Sequence, residues 1–280
     1  TADNCSVDVV GNDAPATFPV GETTVTWTVS DIYGNTATAT QLVTITDEEA
    51  PSITAPDAVS VSTDQGSCEA TSVDLGVPST SDNCDLFLIE NDAPASFSIG
   101  VTTVTWTVTD IHGNTTTATQ DVTVTDDEVP VVNSISDVSV SADAGSCEAL
   151  YDLGTLDASD NCGIDIITND APAAFSVGET TVTWTVTDIY GNSTTATQVV
   201  TVTDDEVPVI TAPADVAASA DPGVCEATVD LGSPVTSDNC EVAEVTNDAT
   251  GSFAVGETTV TWTVTDIHGN TALSLIHISE

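Results

Sequence analysis

The side chains able to do chemistry in this sequence are mostly carboxylates, and they recur in fixed company. Three acidic triplets, Asp47-Glu48-Glu49, Asp126-Asp127-Glu128 and Asp204-Asp205-Glu206, each stand two residues ahead of a proline. An Asp-Asn-Cys tripeptide begins at Asp3, Asp82, Asp160 and Asp238, and an Asp-Ile-x-Gly-Asn pentapeptide begins at Asp31, Asp110, Asp188 and Asp266. Carboxylate and amide oxygens at this density suit a hard cation; calcium takes about six to eight oxygens at roughly 2.3–2.6 Å. The chain holds 45 Asp and Glu and no Lys or Arg, a formal charge of −45 at pH 7, so only its three histidines can form an ion pair with an acid. Bound or condensed cations are the expected counterweight to the repulsion. The bland alternative is solubility in salty water, where screening acts over about 10 Å or less.

The same imbalance removes whole classes of function. Nucleic-acid binding needs cationic side chains to neutralise phosphate, and adhesion to anionic lipid needs a basic patch. The sequence starts at Thr1 without a charged leader and has no apolar run long enough to span a bilayer. No nucleic-acid partner and no direct membrane insertion by this segment are expected. Ser and Asp are scattered everywhere, so no Ser–His–Asp set stands out. Paired carboxylates abound, but their place in the triplets is explained without glycosidase chemistry. No catalytic residue is assigned, and an enzyme is not expected.

The element that must position the acids is a hairpin. Thr180-Thr-Val-Thr-Trp-Thr-Val-Thr-Asp-Ile-Tyr-Gly-Asn192 has counterparts centred on Trp27, Trp106 and Trp262, at spacings of 79, 78 and 78 residues. Val182, Trp184 and Val186 alternate with Thr, the period of a half-buried strand. Asp188-Ile-Tyr-Gly-Asn192 makes a tight turn, with Gly and Asn as residues that tolerate positive φ, and Thr194–Thr203 returns. Further strands are expected at Val138–Ala142, from Cys147 to Leu153, and at Ile164–Thr168, with a loop from Gly154 to Cys162. Short strands with turns every 8–12 residues read as antiparallel β-sandwiches. The expected boundaries are 1–47 (the later part of a truncated repeat), 48–126, 127–204, 205–272 (lacking its native last strand) and 273–280 (a non-repeat tail). No Gly/Ser linker separates the repeats and Pro restrains each joint, so the expected object is an extended rod of beads.

Seven cysteines follow the same register. Cys68, Cys147 and Cys225 each lie 15 or 16 residues before the cysteine of the next Asp-Asn-Cys. The simplest pairing is Cys68–Cys84, Cys147–Cys162 and Cys225–Cys240, with Cys5 unpaired. Each such loop is worth roughly 3 kcal/mol in the chain-entropy model. Paired cysteines in β repeats point to an oxidising, extracellular setting. One tension stands against this pairing. If the strand starting at Cys147 runs the length of the sandwich, Cys147 and Cys162 sit at opposite poles, beyond the Cα reach of about 7 Å. Pairing between neighbouring repeats is the alternative.

The succession Gly-x-Cys-x-Ala, Asp-Asn-Cys and Val-Gly-x-Thr-Thr-Val-Thr-Trp-Thr-Val-Thr-Asp-x-x-Gly-Asn resembles the HYR (hyalin) repeat, an immunoglobulin-like module of large bacterial surface proteins. The resemblance covers residues 1–272. It implies an all-β chain of tandem immunoglobulin-like antiparallel β-sandwiches, extracellular or at the cell surface, with an adhesion-related or structural role. In an immunoglobulin-like order the last strand of one repeat ends at the pole where the next begins, beside that repeat's hairpin turn. Three calcium joints are then expected: Asp47, Glu48 and Glu49 with Asp82, Asp110 and Asn114; Asp126, Asp127 and Glu128 with Asp160, Asp188 and Asn192; and Asp204, Asp205 and Glu206 with Asp238, Asp266 and Asn270. A solvated acidic linker beside an ordinary turn is the contrary reading.

Other features carry blander expectations. His112 and His268 stand where Tyr33 and Tyr190 stand and read as surface turn residues. Asn114-Thr-Thr and Asn192-Ser-Thr are glycosylation sequons whose Asn is already a turn residue. Thr ladders such as Thr24, Thr26 and Thr28 read as solvent-facing strand positions. Leu273-Ser-Leu-Ile-His-Ile-Ser-Glu280 departs from the repeat and resembles translated adapter read-through; its alternative is an improvised final strand. The leading functional expectation is a structural segment of a long extracellular fibre or adhesin stalk, stiffened by calcium. Its partners are neighbouring repeats, with lateral self-association into filaments as a further possibility. The alternative is a glycan- or ice-binding module using the Thr faces.

Overall fold

Alternation of Val and Trp with Thr has the structural result its period implies. In the hairpin strand Gly178–Asp188, Val182, Trp184 and Val186 are buried, while the intervening Thr side chains lie on the other face, half-buried or exposed. The computed structural model describes residues 2, 4 and 6–279, so Cys5 lies outside the described residues. Among those residues every regular element is a β-strand, and no helix is long and apolar enough to cross a membrane. The chain forms two compact units, Thr1–Asp127 and Glu128–Glu280.

In the first unit, strands Val7–Asn12, Gly21–Asp31 and Thr36–Ile45 make a three-stranded antiparallel sheet. A complete sandwich follows. Its larger sheet has the order Val59–Ser62, Thr115–Thr125, Gly100–Asp110, Leu86–Asn91. Two short pairs, Ser52–Thr54 with Ser79–Ser81 and Glu69–Thr71 with Ser96–Ser98, complete it. The core between them is Ala70, Phe97, Val104, Trp106, Val122 and Val124. In the second unit the same plan occurs twice, with larger sheets ordered Val138–Ser141, Ser193–Thr203, Gly178–Asp188, Ile164–Asn169 and Val216–Ala217, Thr271–Ser279, Glu257–Asp266, Val242–Asn247. The architecture is tandem immunoglobulin-like β-sandwiches. One edge of each large sheet is parallel rather than antiparallel: Val59–Ser62 lies along Thr115–Thr125, and Val138–Ser141 along Ser193–Thr203.

Strand lengths differ from the sequence expectation where periodicity is short. The run from Cys147 to Leu153 contributes only Glu148–Ala149, paired with Phe175–Ser176. The expected loop from Gly154 to Cys162 contains a strand, Asp157–Ser159, paired with Val131–Ser134. Val138–Ser141 and Ile164–Asn169 fall where the pattern placed them. In the hairpin turn Gly191 takes φ 95°, whereas no Asn among the described residues has positive φ. Asn192 serves the turn through its side chain instead.

A buried glutamine completes the core. Trp184 Nε1 donates to Gln198 Oε1 at 3.0 Å, and Gln198 Nε2 donates to the Ser136 carbonyl at 2.6 Å. Trp106 and Gln120 repeat this, with Gln120 Nε2 donating to the carbonyls of Asp57 and Leu75. In the last repeat the tail does form a strand. Thr271–Ser279 pairs along Glu257–Asp266 and beside Val216–Ala217. Ile276 and Ile278 are buried, while Leu273 and Leu275 stay exposed. Ile276 falls opposite Val260, as Gln120 falls opposite Val104, and Trp262 Nε1 accordingly has no hydrogen-bond acceptor.

The cysteines pair differently from the simplest expectation. Cys147 is bonded to Cys240, 93 residues away, so neither Cys147–Cys162 nor Cys225–Cys240 forms. Cys84 and Cys225 are free thiols, and Cys68 is disulfide-bonded but not to Cys84. Cys162 is also disulfide-bonded. The reason is reach. Val177 N donates to the Cys147 carbonyl beside Gly178, whereas Ile189 N donates to the Gly163 carbonyl at the far end of the same hairpin. Ten residues of strand at about 3.3 Å each separate those ends, far beyond disulfide range. Cys147 therefore stands at the end of its repeat that meets the next one, and its partner is that repeat's Cys240.

Candidate metal centre

The hairpin turn builds the first wall of the site. Asp266 Oδ1 accepts from the backbone N–H groups of His268 and Asn270 at 2.9 and 2.8 Å, and Asp266 Oδ2 accepts from Asn270 Nδ2 at 2.8 Å. This is an Asx-type turn, in which the Asp side chain substitutes for a backbone acceptor. Burial would raise the Asp266 pKa, but the bonds from Asn270, His268 and Gly269 hold it below its ordinary value. Asp188 and Asp110 are held low in the same way. Asp31 is low chiefly through the Asn35 side chain.

The second wall is the Asp-Asn-Cys loop. Asp238 Oδ2 accepts from Cys240 N and Glu241 N at 2.9 and 3.1 Å, which leaves Asp238 Oδ1 buried without a hydrogen-bond partner. The Asn239 side-chain oxygen is likewise buried and unpartnered. The third wall is Asp204, one residue beyond Ser193–Thr203. Its oxygens accept from Asn239 Nδ2 and lie 3.0 Å from His268 Nδ1, while its carbonyl accepts from Asn270 Nδ2. One carboxylate oxygen from each of Asp204, Asp238 and Asp266 lies within 4.8 Å of the others. Oxygens bound to a single calcium at about 2.3–2.6 Å span such separations. The donor set, hard carboxylates with one buried oxygen left over, fits that ion.

The first unit repeats the arrangement with Asp47, Asp82 and Asp110, again within 4.8 Å. Asp82 Oδ1 is buried and unpartnered. Asn114 Nδ2 donates to Asp110 Oδ2 and to the Asp47 carbonyl. Burial would raise the Asp47 pKa, but bonds from the Cys84 thiol, Glu49 N, Asn83 and His112 hold it low. The Cys84 thiol is pushed up to about 11, first by its bond to Asp47 and then by burial and the neighbouring carboxylates.

Not every acid of the triplets joins these clusters. Only the first residue, Asp47 or Asp204, turns inward. Glu48 and Glu49 are exposed. Asp205 accepts from Ser141 Oγ and Glu206 from Gly145 N, so both face back toward the preceding repeat. Asp204 Oδ1 accepts from Glu206 N, and Asp47 Oδ1 from Glu49 N, so the first acid turns the chain within its triplet, which is why a triplet cannot act as one ligand block. Asp126 and Asp127 close the first unit and Glu128 opens the second. Asp127 accepts from Ser62 Oγ. Asp160 accepts from Cys162 N, and Asn192 Nδ2 donates to Asp188 Oδ2, matching Asp238 and the Asn270 brace. Sequence reasoning set His112 and His268 aside, yet their Nδ1 atoms lie 3.1 and 3.0 Å from Asp47 and Asp204. The signal was available: both lie two residues after a turn Asp. The sequon residue Asn114 is committed to internal hydrogen bonds.

Over 274 residues the chain is 33% identical to hyalin of Lytechinus variegatus, covering 91% of the chain and 51% of that protein. It is 29% identical over 277 residues to hyalin of Strongylocentrotus purpuratus, covering 91% of the chain and 23% of that protein. The chain thus spans about half the length of one curated relative and less than a quarter of the other. Neither is bacterial, so that part of the expected setting finds no support. Similar solved structures include protocadherin gamma B7 extracellular cadherin domains 1–4, at 13% identity over 92% of this chain and 83% of that chain, with a TM-score of 0.34. Drosophila N-cadherin EC1-4 gives 12% identity, 94% and 84% coverage and a TM-score of 0.33. Residues 203–278, which hold the whole of the Asp204 cluster, match the family model for the HYR domain.

Proposed function

We propose that this chain is a structural segment of a long extracellular fibre or adhesive stalk, with calcium stiffening the joints between its repeats. The observation that carries the reading is the trio of Asp204, Asp238 and Asp266, the first and last buried and Asp238 half-buried with one carboxylate oxygen enclosed and unpartnered, in a chain without Lys or Arg. Three like charges at this separation repel, and no Lys or Arg is there to relieve them. Calcium supplies the missing charge and the missing partner for Asp238 Oδ1. Because Asp204 belongs to one repeat and Asp238 and Asp266 to the next, a bound ion ties the two together. The extracellular setting agrees with disulfides that persist only where thiols are oxidised and with the likeness to hyalin. The role is structural and adhesion-related rather than catalytic, and its immediate partners are neighbouring repeats.

Calorimetry and small-angle scattering of the whole chain, in calcium and in chelator, test this. At a hundredfold excess over Kd one site adds about 2.7 kcal/mol of stability, so Tm should rise and the scattering profile should report a narrower range of joint angles. Unchanged Tm and unchanged scattering would refute the calcium joint. Calcium-dependent growth in light scattering would identify lateral bundling in addition.

A further inference from the structure

The two clusters differ in one covalent respect. At Asp204 the neighbouring Cys240 is bonded to Cys147 of the preceding repeat, whereas at Asp47 the equivalent Cys84 is a free thiol. The bonds within each turn and loop are alike in the two clusters, Cys84 N lying 2.8 Å from Asp82 and Cys240 N 2.9 Å from Asp238, but two contacts across the joint are longer without the disulfide. Asn239 Nδ2 lies 3.0 Å from Asp204 Oδ1, but Asn83 Nδ2 lies 3.4 Å from Asp47 Oδ1. Asn270 Nδ2 reaches the Asp204 carbonyl at 3.0 Å, but Asn114 reaches that of Asp47 at 3.3 Å. Asn239 also donates to the Ser146 carbonyl, next to Cys147, at 3.0 Å.

We infer that the Cys147–Cys240 disulfide is a redox lock on the Asp204 cation site, raising its affinity by fixing the Asp-Asn-Cys loop against the preceding repeat. This rests on the calcium reading above. Two effects act together. The bond immobilises Cys240, whose N–H holds Asp238, and keeps Ser146 where Asn239 can brace Asp204. It also withholds a competitor. Cys240 Sγ lies within 4.8 Å of an Asp204 oxygen and a His268 ring nitrogen. As a thiol it would donate to Asp204, as Cys84 donates to Asp47, and occupy a lone pair that the cation uses. Opening the lock takes an external dithiol. One thiolate attacks a sulfur, the S–S bond breaks, and the dithiol departs as its own cyclic disulfide. Its two electrons and two protons leave Cys147 and Cys240 as thiols. Linkage makes the effect reciprocal, so calcium in turn protects the disulfide from reduction.

The whole chain contains its own control. Calcium is titrated at fixed pH while the imidazole carbon-bound proton signals of His112 and His268 are followed by NMR, with the exposed His277 as reference. In the oxidised chain the His268 midpoint should fall about tenfold below that of His112. Added dithiol should raise it to near the His112 value, and the double substitution Cys147→Ala with Cys240→Ala, which frees the loop without supplying a competing thiol, should raise it part of the way. Coincident midpoints in the oxidised chain, or a His268 midpoint indifferent to both treatments, would overturn the lock and leave the calcium joint standing. Silence of both signals toward calcium would overturn both. The comparison within the oxidised chain needs no variant, so a folding defect cannot obscure it.

Discussion

An Asp and an Asn four residues apart set the chemistry of each turn. Asp31, Asp110, Asp188 and Asp266 are all held below their ordinary pKa by the hydrogen bonds of that pairing. A depressed folded-state pKa contributes stability above the unfolded value of about 3.9, and that stability is lost as pH falls through the folded value. In chelator and about 1 M sodium chloride, where general repulsion is screened, denaturant unfolding should therefore give a flat stability from neutral pH down to about pH 4 and a decline below it. A different outcome belongs to Asp238, whose Oδ1 has no partner to lose. Asp238→Asn should raise the calcium midpoint read at His268 by about tenfold or more, since ligand charge tunes affinity, while Tm in chelator holds or rises. The residues of the site were legible as motifs because Asp-Asn-Cys and Asp-Ile-x-Gly-Asn each dictate a local turn. The roles of Glu48, Glu49, Asp205 and Glu206 were not, because a run of acids carries no sign of the turn that its first member makes with the backbone N–H two residues on.

The hairpin is the element that the sequence announces most clearly, since eleven-residue strands sustain a period long enough to read. Strands of two or three residues, such as Glu148–Ala149 and Asp157–Ser159, carry no period at all and are set by packing against Phe175 and Val132. The same shortness let Cys147 stay near one pole, so the linkage to Cys240 could be weighed but not read. Gly191 offers a check on the turn. A Cβ there would meet nothing within 4 Å, so the cost of Gly191→Ala is conformational alone, about 1–3 kcal/mol by chemical denaturation. The buried glutamine is the part that patterning missed, a polar residue amid alternating Thr that resembles any outward position. Gln120→Ala would strand Trp106 Nε1 and two carbonyls. It should cost about 1–3 kcal/mol in the same measurement.

At the scale of the molecule, the charge of −45 with no Lys or Arg makes salt a stabiliser. In chelator, Tm should climb as sodium chloride is added and level off once the Debye length falls to about 3 Å near 1 M. Most proteins with surface ion pairs lose part of those interactions under the same treatment. The parallel edge of each large sheet has a mechanical meaning. Within the third repeat, Val138–Ser141 lies toward the N-terminal side and Ser193–Thr203 toward the C-terminal side, and the two run in the same direction. Tension pulling the chain apart drags these neighbours lengthwise past each other. Their backbone hydrogen bonds must then rupture together rather than unzip singly. A tether made of such beads would yield in abrupt steps under load, each bead holding nearly intact until it gives way at once.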